Sequence, residues 1–318
     1  MQIPIFLFTG FLDSGKTTFI KETLMDPEFT RGLKTLLILA EDGEEEFDDA
    51  FLEKIHVKKV ELEEEEDFTD AYLELLKNQY HPDQILLEWN GMWRMDTVYE
   101  RNLPDGWMIA QVINTINSQT FEMYLGNSTS GLIMEPVKTS EIVLFNRCKE
   151  ETPKANYRRM VKAVNRAAQV IFEREDGSID NNVEDVLPFD LSKNEIVIED
   201  EDYGIWYMDA MEHPEKYDGK IVDFRALVYR PKKFLNRLPK NCIIAGRHAM
   251  TCCADDVTFI GMKCITKDAD QMNHRDWIRL RARIKKEFAR EYQGDGPVLY
   301  AEGYLPAERP QDDLVYFN

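Results

Sequence analysis

The sequence contains no hydrophobic run that could cross a membrane, because no stretch approaches the roughly 18–20 apolar residues that a span requires. The apolar opening segment, residues 3–8, is too short for the hydrophobic region of a signal peptide, and no basic segment precedes it. Cysteine is scarce, and five cysteines in a chain of 318 residues do not suggest a disulfide framework. We therefore expect a cytoplasmic protein with free thiols and without membrane insertion.

Positive charge is also scarce, since 39 Lys and Arg residues face 59 Asp and Glu residues, a formal net charge of −20. An acidic surface repels nucleic acids and anionic membranes over a Debye length. Nucleic acid is therefore a poor candidate partner. A nucleotide remains open as a ligand, because its phosphates are held by local backbone N–H groups and a single lysine.

The first part of the chain alternates between apolar segments and segments with helical spacing. The chain length predicts two domains, and a hydrophobic content of 43% is ample for packed cores. Near-continuous apolar strands that alternate with helices indicate a parallel sheet covered on both faces, and hence an α/β domain over residues 1–195. The predicted strands are residues 3–9, 33–40, 57–62, 84–88, 107–114, 141–145 and 169–172.

The pattern changes after about residue 190, and the acidic stretch 199–202 is interpreted as a boundary. Residues 277–284 alternate between apolar and arginine side chains, which is the period of a half-buried strand. Residues 220–229 and 298–305 are similar. We expect a small β-rich domain over residues 196–318, either an antiparallel barrel or a sandwich.

A glycine-rich motif follows the first predicted strand and opens the first predicted helix. Residues 10–18 fit the pattern G-x-x-x-x-G-K-[ST], in which the glycines let backbone N–H groups point inward at a phosphate. In this pattern the lysine reaches the β- and γ-phosphates, and the next hydroxyl binds Mg²⁺. The motif predicts a site for a nucleoside triphosphate formed by Gly10, Asp13, Ser14, Gly15, Lys16, Thr17 and Thr18.

An acidic residue, Glu88, ends the fourth predicted strand and is followed closely by Gly91. An acid at this position of a parallel sheet lies beside the phosphate loop and can hold Mg²⁺ or its water, and Gly91 could donate a backbone N–H to the γ-phosphate. The alternative for Glu88 is a solvated strand end. We expect Lys16, Thr17 and Glu88 to be the catalytic residues.

The sixth predicted strand is followed by Asn146 and Arg147, where many P-loop GTPases carry Asn-Lys-x-Asp. The Asp of that motif accepts two hydrogen bonds from guanine. Here Lys149 stands in its place, and a lysine has donors only. Glu150 comes one position later, and a loop shift could bring it into the site. Guanine and adenine therefore both remain open.

Together these motifs resemble the CobW-type P-loop GTPases, a metallochaperone-like family. The resemblance rests on the form of the glycine-rich P-loop (residues 10–18), on Glu88 to Gly91, and on Asn146 and Arg147, which match the base motif in part. It covers roughly residues 1–190. Residues 40–44 and Asp48 have the spacing of the family's segment after the second strand. The resemblance implies GTP and Mg²⁺ as ligands, a switch at residues 40–49, and Mg²⁺ bound by Thr17, with Glu88 and Asp42 contributing through water.

The chain departs from that family at its metal motif. The family usually carries Cys-x-Cys-Cys after the third strand, whereas residues 61–67 here are mostly acidic and no cysteine lies between Met1 and Arg147. Soft thiolate ligation of Zn²⁺ at that place is thus excluded. A solvated acidic loop is the simpler interpretation.

The second part of the chain resembles the C-terminal region of an uncharacterised bacterial family of permease subunits. Residues 246–256 and 315–317 carry this resemblance. His248 and Cys252 would share one face of a strand and are the candidate ligands for a transition metal such as Zn²⁺. The alternative is that the cysteines here are small buried hydrophobic residues.

We predict a slow, Mg²⁺-dependent GTPase that acts as a switch or as a metallochaperone-like factor. No arginine finger or water-positioning glutamine is recognisable, so turnover should rise with a partner or on homodimerisation. The partner would be a protein client, either a metalloprotein or a transport component. Two alternatives stay open: an ATP-binding enzyme of the small-molecule kinase type, and a nucleotide-binding scaffold without turnover.

Overall fold

The computed structural model describes residues 2–30, 32–40, 47–125, 130–180, 183, 187–231, 239–250 and 257–317. The chain forms two compact units, one made of Met1–Lys154 and Val164–Val183 and the other of Ala155–Ala163 and Glu184–Asn318. The domain boundary expected near residue 195 stays a prediction. Among the described helices, none is long and apolar enough to cross a membrane.

The first unit contains a seven-stranded sheet in which every pairing is parallel, as the sequence predicts. The strand order is β3-β2-β4-β1-β5-β6-β7. The strands are β1 (Ile3–Thr9), β2 (Thr35–Leu39), β3 (Val57–Glu61), β4 (Gln84–Glu88), β5 (Trp107–Asn117), β6 (Ile142–Cys148) and β7 (Gln169–Arg174).

Helices cover both faces of this sheet. They are α1 (Lys16–Met25), α2 (Pro27–Thr30), α3 (Asp49–Lys54), α4 (Asp70–Tyr80), α5 (Met95–Tyr99), α6 (Phe121–Leu125), α7 (Ser130–Met134) and α8 (Lys154–Val164), of which residues 155–163 belong to the second unit. Phe8, Leu86 and Ile20 of α1 belong to one core, whereas Leu7 and Leu87 belong to the other. Alternate residues of each strand therefore pack against opposite layers.

Three strands of this sheet extend beyond their predicted ends, and one of them is β7, which continues to Arg174. β5 continues to Asn117 and β6 to Cys148, because the two strands keep pairing up to Asn117 and Asn146. The sequence placed Asn146 after the sixth strand, and this is wrong: Asn146 and Arg147 are its last residues before Cys148. The apolar pattern ends where polar residues begin, so the predicted strands end there. The strands continue further because the hydrogen bonds between them are made by the backbone and do not depend on side-chain type.

The second unit is β-rich, as predicted, but its sheet is mixed. Its strand order is β14-β10-β11-β13-β12-β9-β8, and an additional pairing of β10 with β9 closes five strands into a ring. β11 and β13 run parallel, as do β8 with β9 and β10 with β14, so the expectation of a purely antiparallel barrel is wrong. The elements are β8 (Glu195–Ile198), α9 (Tyr203–Glu212), α10 (Pro214–Tyr217), β9 (Ile221–Tyr229), β10 (Cys242–Met250), β11 (Val257–Ile265), β12 (Trp277–Ala289), β13 (Gly294–Pro306) and β14 (Leu314–Val315).

The ring encloses an apolar core. The predicted alternation in β12 is confirmed, because Ile278, Leu280, Ala282 and Ile284 are buried. α9 contributes to the same core through Trp206, whose ring lies 4.7 Å from that of Phe224. The acidic residues 199–202, interpreted as a boundary, connect β8 to α9 within the second unit.

Candidate nucleotide-binding site

The glycine-rich loop connects β1 to α1 in a conformation that requires its glycines. Gly10 and Gly15 have φ angles of 141° and 91°, and Asp13 between them has a φ of 58°. A Cβ on Gly10 would lie 2.3 Å from the Thr115 carbonyl oxygen. The loop is thus curled tightly at the carboxyl edge of the sheet, where parallel α/β folds bind ligands.

Lys16 holds its ammonium group inside this loop. Its Nζ donates hydrogen bonds to the carbonyl oxygens of Gly10 at 2.7 Å and Phe11 at 3.0 Å, and the side chain is buried. The Ser14 and Thr115 hydroxyls are 2.9 Å apart, which fixes the loop to β5. The buried ammonium group supplies the positive charge and the hydrogen-bond donors that phosphate oxygens accept.

Thr17 and Glu88 form an oxygen pair beside Lys16. The Thr17 hydroxyl donates a hydrogen bond to Glu88 Oε1 over 2.9 Å, and Glu88 is buried. The pairing of β1 with β4 sets Phe8 opposite Glu88 and so brings the acid to the loop. Hydroxyl and carboxylate oxygens are the ligands that Mg²⁺ accepts, so these two residues fit a magnesium ion.

The segment after β4 lies directly against the glycine-rich loop. A Cβ on Gly91 would approach the Gly10 carbonyl oxygen to 2.2 Å and the Phe11 Cα to 2.7 Å. The backbone N–H of Trp89 donates to the Phe8 carbonyl oxygen at 2.8 Å. Only a glycine allows this approach, and it keeps the backbone of Gly91 beside the glycine-rich loop.

The end of β6 is attached to the other side of the loop. Asn146 Nδ2 donates to the Ser14 carbonyl oxygen over 2.6 Å, and Arg147 Nη1 donates to the Asp13 carbonyl oxygen over 2.7 Å. Arg147 has a φ of 52°, which turns the chain after Asn146. Asn146 Oδ1 is buried and has no hydrogen-bond partner within the described ranges, so it can accept one from a ligand.

The sequence did not single out Thr115 or Glu173. Thr115 contacts both Ser14 and Gly10. The sequence feature that could have identified it is the pair of polar residues, Asn114 and Thr115, inside an apolar strand. Glu173 is partly buried near the end of β7. Its signal was the same as that of Glu88, an acid that follows the last apolar residues of a buried strand.

The predicted metal residues are placed only in part. Asp42 and Cys252 lie outside the described residues, whereas His248 lies on β10 of the second unit with its ring 5.5 Å from that of Phe259. No group of three or more His, Cys, Asp and Glu residues that could hold a metal occurs in the described segments. Burial raises the pKa of Cys242 to about 11 and that of Cys264 to about 12, so both stay neutral thiols.

The fold and this site define a P-loop nucleotide-binding protein. Residues 4–172, just over half of the chain, match the model of the CobW/HypB/UreG nucleotide-binding domain, and the chain belongs to this family of P-loop GTPases. Residues 174–317 match the DUF1980 C-terminal domain. Both resemblances predicted from the motifs are confirmed.

Individual relatives are more distant. The chain is 24% identical over 126 residues to the UPF0703 protein YcgQ of Bacillus subtilis (strain 168), a match that spans 39% of this chain and 42% of that protein. The hydrogenase maturation factor HypB from Archaeoglobus fulgidus is 15% identical with a TM-score of 0.37, covering 56% of this chain and 84% of that chain. A Zn(II)-bound triple mutant of the YjiA GTPase is 17% identical with a TM-score of 0.43, covering 82% of this chain and 89% of that chain.

Proposed function

We propose that the first unit binds GTP with Mg²⁺ and hydrolyses it slowly, as a switch that acts on a protein client. The observation that carries the proposal is the hydrogen bond between Thr17 and Glu88 next to the buried Lys16 ammonium. These three groups supply the charge and the oxygen ligands that phosphoryl transfer requires, and membership of a GTPase family agrees with them.

Each residue of the proposed site would have its own role in binding GTP and Mg²⁺. Lys16 would exchange the carbonyl oxygens of Gly10 and Phe11 for β- and γ-phosphate oxygens, which are stronger acceptors for its charge. Bound Mg²⁺ would neutralise the charge that develops on the transferred phosphoryl group. Thr17 would hold that ion directly, Glu88 would orient its water, and the Gly91 N–H would face the γ-phosphate.

Slow turnover is expected from the same geometry. Within the described part of the site, the Arg147 guanidinium donates to the Asp13 carbonyl oxygen of the loop. In this arrangement its guanidinium is engaged by the loop backbone and not held free for the γ-phosphate. A client, or a second copy of the chain, would have to supply that charge.

The client is proposed to be a metalloprotein or a transport component, in keeping with the family and with the DUF1980 C-terminal domain. Residues 61–67 offer carboxylates and no thiolates, so a soft metal is not expected there. A Zn²⁺ site at His248 and Cys252 stays a prediction.

Isothermal titration with non-hydrolysable GTP and ATP analogues, with Mg²⁺ present, tests the proposal, and Lys16→Ala is the control. We expect the GTP analogue to bind at least about tenfold more tightly, or about 1.4 kcal/mol, and Lys16→Ala to abolish binding. Equal or tighter binding of the ATP analogue would favour the alternative of an ATP-binding enzyme. The observation that supports this alternative is Lys149, an exposed lysine in the place of the aspartate that accepts hydrogen bonds from guanine.

Phosphate release under single-turnover conditions then separates a GTPase from a scaffold. We expect slow release from wild-type protein and none above background from Lys16→Ala. Tight binding without release in the wild type would favour the scaffold and contradict the hydrolytic part of the proposal.

A further inference from the structure

A partly buried carboxylate, Glu173, lies beside the base motif. β6 and β7 are parallel neighbours, and their register pairs Phe145 with Phe172. Asn146 and Glu173 each follow one of these phenylalanines at the point where the register between the two strands shifts, before Cys148 pairs with Arg174. Both residues therefore lie at the same end of the β6–β7 pair.

This end of the strands also contacts the glycine-rich loop. Asn146 donates from there to the Ser14 carbonyl oxygen. Glu173 is close enough to Glu22 of α1, and to Arg147, for both charges to act on its carboxylate. The helix that follows the glycine-rich loop and the base motif thus both lie near Glu173.

The Glu173 side chain accepts no hydrogen bond and forms no ion pair within the described residues. Neighbouring acids are occupied: Asp180 pairs with Lys154 at 2.6 Å and with Arg174 at 2.9 Å, and Glu175 accepts a hydrogen bond from Gln119 at 2.9 Å. Burial and the charge of Glu22 raise the pKa of Glu173, while Arg147 lowers it. A partly buried carboxylate without a donor is unfavourable unless a ligand supplies one.

Guanine supplies two donors on one edge, its N1–H and its 2-amino group. In the Asn-Lys-x-Asp motif a carboxylate accepts both, but here Lys149 has no acceptor and both Lys149 and Glu150 are exposed. The oxygens of a carboxylate can accept two parallel hydrogen bonds, which gives both affinity and geometric selectivity.

We propose that Glu173, rather than Lys149 or Glu150, is the residue that selects guanine, by accepting hydrogen bonds from N1–H and the 2-amino group of the base. This assignment rests on the proposed GTP-binding function. It accounts for a base motif that keeps Asn146 but has lost its acidic residue.

The test is a base exchange in the full-length protein with Mg²⁺. Glu173→Gln replaces one acceptor by a donor, and xanthosine diphosphate replaces the 2-amino donor of GDP by an oxo acceptor. We expect wild-type protein to prefer GDP, and Glu173→Gln to bind GDP less tightly and xanthosine diphosphate more tightly. The ratio of the two dissociation constants should change by at least about a hundredfold, since sites built around a hydrogen bond discriminate strongly. A residue that served only packing would not increase affinity for the second base.

Glu150→Gln is the matched control and should leave both affinities unchanged. Adding Lys149→Asp to Glu173→Gln should restore GDP binding, because it returns the acceptor to the family's position. Should Glu173→Gln not fold, Glu173→Asp keeps the charge but shortens its reach, and GDP affinity should fall at least about tenfold.

The outcomes separate the two proposals. Suppose that wild-type protein prefers GDP over ADP, but the ratio of the dissociation constants for GDP and xanthosine diphosphate does not change in Glu173→Gln, or changes in Glu150→Gln instead. Glu173 is then not the acceptor, and the GTP-binding proposal stands. If wild-type protein binds ADP as tightly as GDP, guanine selection itself is absent and both proposals fail. Unchanged GDP affinity in Glu173→Asp would also overturn the assignment.

Discussion

The side-chain amide of Asn146 donates to the carbonyl oxygen of Ser14 over 2.6 Å and so links the end of β6 to the phosphate loop. The two residues are far apart in the sequence, yet this contact joins the predicted base site to the predicted phosphate site. The contact is buried, and its loss should therefore weaken nucleotide binding.

Asn146→Ala should weaken nucleotide binding at least about tenfold and lower the free energy of unfolding by about 1–2 kcal/mol, because the Ser14 carbonyl loses its buried donor. Titration calorimetry and urea unfolding measure the two effects. Asn117→Ala is the control, since Asn117 pairs with Asn146 in the sheet but its side chain accepts from Gln119 N instead. Equal affinities of Asn146→Ala and wild type would contradict the contact's role.

Gly91→Ala should displace the segment after β4 from the phosphate loop. The added Cβ would lie 2.2 Å from the Gly10 carbonyl oxygen, so the backbone must move, at a cost of about 1–3 kcal/mol. We expect reduced thermal stability together with reduced affinity for the GTP analogue. Gly131→Ala, where the added Cβ meets open space and the residue lies in helix α7, should reduce neither property. Wild-type affinity in Gly91→Ala would mean that the segment can withdraw without affecting the site.

Thr17→Ala should reduce Mg²⁺-dependent phosphate release by about 10²-fold, because it removes a metal ligand and the donor to Glu88. Binding of GDP without Mg²⁺ should change little. A magnesium titration of single-turnover hydrolysis is the measurement. Thr23→Ala, on the same helix but hydrogen-bonded to the Phe19 carbonyl oxygen, is the control. If Thr17→Ala retained the wild-type magnesium dependence, Mg²⁺ would have to bind elsewhere.

Glu173→Gln should not destabilise the protein at pH 7. The folded-state pKa of Glu173 is raised above its ordinary value of 4.5 by burial and by Glu22 of α1, against the opposing effect of Arg147. Its contribution to stability is therefore present below pH 4.5 and lost as the pH rises through the folded pKa. Urea unfolding between about pH 4.5 and 7.5 measures this effect. The free energy of unfolding of the variant should increase relative to that of the wild type as the pH rises.

The control for that comparison is Glu175→Gln, whose carboxylate accepts from Gln119 and which should not show this gain. A variant at Glu173 that lost stability at pH 7 would mean that the carboxylate makes a structural contact. A site residue retained at a cost to stability is the pattern expected of a binding group.

Asp200→Asn should destabilise the second unit. Arg247 is buried, donates to the Asp200 carbonyl oxygen at 2.9 Å and to its carboxylate at 2.7 Å, and lies between the rings of Tyr203 and Trp277. Neutralising Asp200 leaves a buried guanidinium without its counter-charge, which costs about 3 kcal/mol. Asp270→Asn removes the exposed partner of Arg230 and should cost at most about 1 kcal/mol. Denaturant unfolding compares the two, and equal small losses would argue against a role for the buried pair.

Local sequence was sufficient where one short segment makes the whole feature. The phosphate loop is contiguous, so the spacing of Gly10, Gly15 and Lys16 identified it directly, and the strand ending at Glu88 was predicted with its correct bounds. The alternation in β12 likewise needed only neighbouring residues. By contrast, the close approach of Gly91 to Gly10 and the position of Glu173 near Arg147 depend on strands brought together from distant parts of the chain.

The amino-acid sequence alone thus determined the class of the first unit, its parallel sheet and its nucleotide loop, because hydrophobic period and glycine spacing act over a few residues. Only the tertiary structure decided that β6 extends through Asn146, that the second sheet is mixed and closed by the pairing of β10 with β9, and that Glu173 lies near Arg147. The register between non-adjacent strands is set by the packing of whole layers, and no local pattern in the chain encodes it.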